Sequence, residues 1–319
     1  MVSRKNLRSF MFLIALIFFM VSATSVVSAC TIITVSNENE VLFGNNEDWT
    51  NPNTCLWFEL QEEGKFGGVY LGFDNFFPQG GMNEKGLCFD ANALPKMTLN
   101  NHPELLSPKR WVVEHIMDVS NNISNTIQVA QEYNWGTSMA YQVHFADANG
   151  DALVISPGTD GELNFTRKGP GEKYLVSTNF NVGYPLNGFP PYWRHRVATE
   201  MLNNLDLENN LTIEAVRDIL DATHQEGTYG TKYSNIFDLK NTDIYIYQNH
   251  NFSHVVKLNL DEELAKGENQ YIPISDLFSQ TTTSETQTEK TQEAPILILL
   301  SSLFILFIIR RRKFSSKRD

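Results

Sequence analysis

Val27-Ser28-Ala29-Cys30-Thr31-Ile32-Ile33-Thr34-Val35 is the stretch on which the reading turns, because a leader ends inside it and a strand begins. Arg4, Lys5 and Arg8 form a basic start, Phe10 to Val21 an apolar run, and Val27-Ser28-Ala29 a small-residue cleavage signal of the secretory type. The cut is expected between Ala29 and Cys30. It would leave one residue with both a thiol and a free α-amine. These titrate near about 8.5 and about 8, so close to neutral pH the amine can accept the thiol proton and no histidine is required. Val27 to Cys30 also fits a lipobox, in which the cysteine is acylated and only tethers a non-catalytic or binding module. Two features weigh against that alternative. Thr31 to Val35 is β-branched throughout and reads as a buried strand where a tether would be polar, and a second apolar segment at the C-terminus makes a lipid anchor redundant.

Working outward, residues 1–29 are expected to be a signal peptide and 30–278 one large catalytic domain. Residues 279–293 read as a Thr/Ser/Glu-rich stalk, 294–313 as a hydrophobic anchor or sorting signal with a basic stop, and 314–319 as a cytoplasmic tail. The apolar part, Ile296 to Ile309, is shorter than the ~20 residues a helix needs to cross a bilayer, so it must recruit its flanks or be processed. Either way the domain is expected outside the cell, held at its surface through the C-terminal segment.

Between residues 30 and 309 the chain carries 16 Lys and Arg against 36 Asp and Glu. A surface with that excess repels nucleic acid and suits solubility outside a cell. Beyond Cys30 there are two further cysteines, Cys55 and Cys88, which an oxidising compartment would allow to pair, although sequence does not settle it. Sequons at Asn122, Asn164, Asn210 and Asn251 suit an exposed surface.

Strand signals run through Thr31 to Val35, Val41 to Asn45, Leu56 to Leu60, Gly68 to Phe73 and Gly86 to Asp90. A helix is expected from Ser107-Pro108, as N-cap and first-turn proline, and a second to about Tyr133. Strands return at Tyr141 to Ala146 and Ala152 to Ser156 around an Asn149-Gly150 turn, then at Leu163 to Thr166 and Tyr174 to Ser177. Tyr192 to Leu205 and a segment capped by Thr212 read as helices. Tyr233 to Leu239, Asp243 to Tyr247 and Val255 to Leu258 complete the strands. Blocks of antiparallel strands interleaved with helix pairs suit two sheets packed face to face with helices outside, an α+β fold of four-layer αββα type.

The short Asn37 to Glu40 turn returns Phe43-Gly44-Asn45-Asn46-Glu47-Asp48-Trp49 beside the first strand and brings Asp48 towards Cys30. A carboxylate there can hold the α-amine and favour a thiolate–ammonium pair. With Gly81-Met82-Asn83-Glu84-Lys85-Gly86-Leu87, Ser177-Thr178-Asn179 and Tyr233 to Leu239, this set resembles the cysteine-type N-terminal nucleophile hydrolases. The resemblance is to choloylglycine hydrolases and penicillin V acylases, with acid-ceramidase-like amidases and isopenicillin-N acyltransferases as distant relatives. It implies hydrolysis of a linear amide C–N bond in a small N-acyl compound, or acyl transfer as the alternative. By position it implies Cys30 as nucleophile, Asp48 against the amine, Asn92 and Asn179 as oxyanion donors, and Arg194 as the arginine near the thiolate, with Arg196 its competitor. One position departs: Asn45 stands where relatives usually carry an arginine, so a positive charge is missing.

No cofactor is expected. The seven histidines show no metal-ligand spacing, and Gly80-Gly81 and Gly169-Pro170-Gly171 read as turns, without the spacing or lysine of a phosphate-binding loop. The substrate pocket is expected from the loops Asn75 to Gly81 and Gly183 to Pro191. Oligomeric state is not written in the chain.

Overall fold

A computed structural model describes residues 30–169, 171–184 and 193–279. The segments expected as signal peptide, anchor and tail, most of the expected stalk and most of the Gly183 to Pro191 loop lie outside the described residues. Among the described residues no helix is long and apolar enough to cross a membrane.

Among the described residues fourteen strands are distributed over two sheets. One contains β1 (Thr31–Ser36), β2 (Val41–Asp48), β10 (Tyr174–Ser177), β11 (Thr231–Asp238), β12 (Asp243–Gln248) and β13 (Val256–Asn259), in the order β10-β1-β2-β11-β12-β13. The other contains β3 (Thr54–Glu59), β4 (Gly68–Phe73), β5 (Pro78–Asn83), β6 (Cys88–Thr98), β7 (Ser138–Ala146), β8 (Ala152–Pro157), β9 (Leu163–Arg167) and β14 (Tyr271–Pro273). Its order is β14-β3-β4-β5-β6-β7-β8-β9. Every neighbouring pair of strands is antiparallel, those joined by short hairpins and those distant in sequence alike.

Period-two alternation then builds three cores. Ile32, Phe43, Phe237, Leu56, Val69 and Met82 meet between the sheets. On the outer face of the larger sheet, α1 (Val112–Val119) and α2 (Ile123–Glu132) bury Val113, Ile116 and Ile123 against Phe89, Val143 and Ile155. On the outer face of the smaller sheet, α3 (Trp193–Asn204), the short α4 (Leu207–Asn210) and α5 (Ile213–Thr223) bury Ala198, Leu202, Val216 and Leu220 against Ile33, Val35 and Ile236. The result is the expected four-layer αββα sandwich. Each fully buried Leu, Ile or Phe in these layers contributes roughly 1.5–3 kcal/mol over leaving it exposed. Strands β1 and β2 are buried along their whole length because both faces are covered, and the second half of β2 carries the buried polar residues Asn45, Asn46, Glu47 and Asp48.

Close approach of helix to sheet explains Gly44: a Cβ there would lie 2.9 Å from Val216 Cγ1. Thr212 caps α5 through its hydroxyl, which accepts from Ala215 N at 3.2 Å, as expected. His144 ties the sheets together, its ring nitrogens 2.9 Å from Thr34 Oγ1 and Ser177 Oγ. Burial pushes its pKa down to about 3, so it is neutral.

Three expectations are corrected, and the pairing of Cys55 with Cys88, left open by the sequence, is answered. The helix after Ser107-Pro108 begins only at Val112. Leu106 is held extended by bonds with Glu132 O and from Asn134 N, and Trp111 is drawn to Tyr141 by an indole-to-hydroxyl bond of 2.7 Å. Tertiary pairing overrides the local cap signal there. Gly80-Gly81 is not a turn but the middle of β5, where a Cβ would lie 2.3 Å from Asp90 Oδ2 at Gly80 and 2.6 Å from Val69 O at Gly81. The strand expected over Gly86 to Asp90 runs from Cys88 to Thr98, with Gly86 in the preceding turn at φ +73°. Cys55 and Cys88 are free thiols. They face opposite sides of the larger sheet, Cys55 towards the helices and Cys88 between the sheets, and their strands are three places apart.

Candidate active site

The β1–β2 hairpin sets the centre. Thr31 pairs with Asn46, so Cys30 stands at the strand start beside Glu47 and Asp48. The inward face of β1 is defined by Ile32, and alternation gives Cys30 the same face. Cys30 is 5% exposed, and its sulfur accepts the backbone N–H of Asp48. Burial pushes the thiol pKa well up, and the carboxylates of Glu47, Asp48 and Asp90 add to the rise. The described surroundings therefore hold the proton on sulfur, and thiolate formation requires a local base that becomes positive as it accepts that proton.

Asp48 ends β2 on the face towards the helices, where three groups hold it. Thr231 Oγ donates to Oδ1 at 2.5 Å, Gln225 Nε2 donates to Oδ2 at 2.7 Å, and Arg194 Nη1 lies 3.6 Å from Oδ2. Thr231 is brought there by register, as it pairs with Asp48 across β11 and β2. Burial still outweighs these stabilising contacts and places the Asp48 pKa at about 6.

Arg194 is in the first turn of α3, on the buried stripe completed by Ala198 and Leu202. Its Nη2 also donates to Asn179 Oδ1 at 3.3 Å, so one guanidinium joins the end of β2 to the segment after β10. Arg196 is instead exposed and pairs with Glu200 one turn on. The arginine that faces the site is Arg194.

Asn179 Nδ2 donates to Ala93 O at 2.9 Å, using one of its two N–H bonds. Asn92 is fully buried on β6 and its Oδ1 accepts from Gln142 Nε2 at 3.3 Å, while its Nδ2 has no partner among the described residues. The same Gln142 amide also reaches Thr178 O at 2.7 Å and Phe180 O at 2.9 Å, fixing Asn179 relative to Asn92. An amide nitrogen held by its oxygen and left with unused N–H is suited to donate to a developing oxyanion.

Asp48, Asn179 and Arg194 are thus joined by direct contacts, Cys30 joins them through the Asp48 N–H, and Asn92 joins them through Gln142. Sequence reading missed Glu47, Asp90, Thr231 and Gln225. Glu47 carried a usable signal, since alternation puts it on the inward face with Phe43 and Asn45. Its carboxyl hydrogen-bonds the Cys30 thiol, and burial followed by the neighbouring Asp48 charge lifts its pKa to about 8. Asn45 does not replace the charge of an arginine: it is neutral, fully buried, and its Nδ2 lies 3.5 Å from Glu47 Oε2. Among the described residues no three His, Cys, Asp or Glu side chains form a group able to hold a metal ion.

The fold is similar to solved amide hydrolases. Penicillin V acylase from Agrobacterium tumefaciens superposes with a TM-score of 0.58 at 15% identity, over 76% of this chain and 90% of that one. A mutant conjugated bile acid hydrolase from Clostridium perfringens gives 0.58 at 14% identity, over 76% of this chain and 96% of that one. A second variant of that hydrolase gives 0.57 at 14% identity, over 76% and 97%. At these identities the likeness establishes the αββα sandwich of the N-terminal nucleophile hydrolases as the fold. No family model and no curated protein matches the sequence.

Proposed function

We propose that the chain is an amide hydrolase that cleaves a linear C–N bond of a small N-acyl compound, with Cys30 as an N-terminal nucleophile. The observation that carries this reading is the position of Cys30. Its thiol is buried at the start of β1, accepts the Asp48 N–H, and adjoins a contact network that contains Asp48, Arg194 and Asn179. The fold shared with penicillin V acylase and conjugated bile acid hydrolase supports it. Thr31–Ser36 continues Cys30 directly as a buried strand where a lipid tether would be polar and flexible, which weighs against the lipid anchor.

Release of the leader at Ala29 frees the α-amine of Cys30, which takes the thiol proton. The resulting ammonium is the charge that the thiolate otherwise lacks among three acidic neighbours. The thiolate adds to the substrate carbonyl carbon, and the oxyanion accepts hydrogen bonds from Asn92 Nδ2 and the second N–H of Asn179 Nδ2. Asp48 holds the ammonium, and Arg194 holds Asp48 and Asn179 in register. Collapse of the tetrahedral species breaks the C–N bond as the ammonium returns a proton to the leaving nitrogen. Water, activated by the same amine, then hydrolyses the thioester. Secretion and tethering through the C-terminal segment belong to this proposal.

A panel of N-acyl amides, assayed with the mature protein and its Cys30→Ala variant, tests the reading. Turnover of at least one member is expected, with none by a correctly cleaved Cys30→Ala protein. Undiminished turnover by that variant overturns the mechanism. Adding an amine acceptor separates hydrolysis, which keeps yielding the free acid, from acyl transfer, which yields the new amide.

A further inference from the structure

Glu47 and Asp90 adjoin Cys30, yet the hydrolysis scheme gives them no task. Both are buried, at 2% and 1% exposure, and they come from opposite sheets. Alternation puts Asn45 and Glu47 on the same face as Phe43, and Asn235 on the same face as Tyr233 and Phe237, all towards the inter-sheet core. Across the β2–β11 pair, Asn235 stands opposite Asn45 and Tyr233 opposite Glu47. Asp90 enters from β6 past Gly80, whose missing Cβ makes the space for its carboxyl.

The hydrogen-bonding inventory of this wall is lopsided. Among the described residues, Asn45 Oδ1, the Tyr233 hydroxyl and both amide atoms of Asn235 have no hydrogen-bond partner, although Asn235 is 1% exposed. Leaving such groups unsatisfied in an interior is costly, so the wall suits a polar group that the described residues do not supply. Once the carboxyl pair is ionised the wall is mostly acceptor: the oxygens of Asn45, Asn235, Glu47 and Asp90, of which Glu47 Oε2 already accepts from Asn45 Nδ2 and Asp90 Oδ1 from Ala91 N, against donors at Asn235 Nδ2 and Tyr233. A protonated amine has three donors and no acceptor. A carboxylate would meet two like charges.

We propose that Glu47, Asp90, Asn45, Asn235 and Tyr233 form a receptor for a protonated amino group on the acyl part of the substrate. This rests on Cys30 being the nucleophile. The acyl group is the part that stays bonded to sulfur, and the Glu47 carboxyl touches that sulfur, so the amino group belongs on a carbon close to the attacked carbonyl. As the cation binds, the carboxyl pair releases to solvent the proton it holds, and the ammonium takes its place. The substrate class is therefore an aminoacyl amide and not an acidic or purely hydrocarbon acyl amide.

The test compares kcat/KM of the mature enzyme on an aminoacyl anilide and on its des-amino analogue. The wild type is expected to favour the aminoacyl compound at least thirtyfold, and Glu47→Gln and Asp90→Asn are each expected to shrink that ratio at least tenfold. Tyr233→Phe, a milder change that covers the case of misfolded acid variants, is expected to shrink it severalfold. Equal or better wild-type turnover of the des-amino compound overturns the inference, as does a ratio that stays constant while both rates fall. Stoichiometric iodoacetamide labelling of Cys30 is measured alongside. A labelled, essential Cys30 without amine preference overturns the receptor alone, whereas an active wild type with an unlabelled Cys30 overturns the hydrolase reading as well.

Discussion

Asp48 Oδ2 and Arg194 Nη1 lie 3.6 Å apart, with 0% and 3% of their side-chain surface exposed. This pair connects the end of β2 to the start of α3, and through Asn179 it reaches the segment after β10. Its removal affects both stability and chemistry.

Arg194→Met should leave Asp48 buried without its cation. Because the Asp48 pKa is already about 6, loss of the arginine raises it further, and ionisation then costs more as pH rises. Urea unfolding should show a loss of about 2–4 kcal/mol at pH 8 and a smaller one at pH 5, where the carboxyl is protonated in both proteins. Turnover at pH 7.5 should fall at least a hundredfold, with Arg194→Lys recovering part of it.

Asn92→Ala removes an amide whose nitrogen has no partner among the described residues. A lost oxyanion donor typically costs about 10²–10³ in kcat, so the expected result is a fall of that size with KM changed little. A rise in KM at constant kcat would instead place Asn92 in ground-state binding.

Glu47 has its pKa lifted from an ordinary 4.5 to about 8. A carboxyl whose folded pKa exceeds its unfolded value favours the fold while protonated, so this contribution is present below about pH 4.5 and is lost as pH rises towards 8. Glu47→Gln should remove that slope. The variant's Tm relative to wild type is expected to increase steadily from pH 5 to pH 8, corresponding to a gain on the order of a few kcal/mol at the upper end.

Gly86→Ala should be costly because two constraints coincide. The residue has φ +73°, and a Cβ would lie 2.5 Å from Leu239 O and 2.9 Å from Ala148 Cβ. Gly64 has φ +76° with nothing within 4 Å of the added carbon, so Gly64→Ala isolates the backbone cost. About 1 kcal/mol is expected at Gly64 and at least about 3 kcal/mol at Gly86, by chemical denaturation.

Much of this architecture was legible because alternation and turn chemistry agreed with the final packing. Thr31 to Val35 and Gly68 to Phe73 could be read directly, since β-branched and apolar residues buried on both faces leave few alternatives. Gly80-Gly81 was not legible. Its glycines look like a turn, but they serve close approach to Asp90 and to Val69 within a strand, and sequence separation hides both. That Cys30, Asp48, Asn92, Asn179 and Arg194 fall in one contact network was legible because their motifs are local, while their chemical roles belong to the proposal. Thr231 and Gln225 could not be found that way, because their relation to Asp48 spans about 180 residues and depends on β2–β11 register. Glu47 was passed over as the variable position beside Asp48, although period two already placed an acid on an inward face.

Intact-mass and N-terminal analysis of the active, mature protein tests the central claim most directly. The account predicts a chain that begins at Cys30 with an unmodified α-amine and gains the mass of the acyl group on that residue when turnover is quenched. An active protein that begins at any other residue, or that carries a blocked nitrogen or a diacylglyceryl group on Cys30, would contradict it.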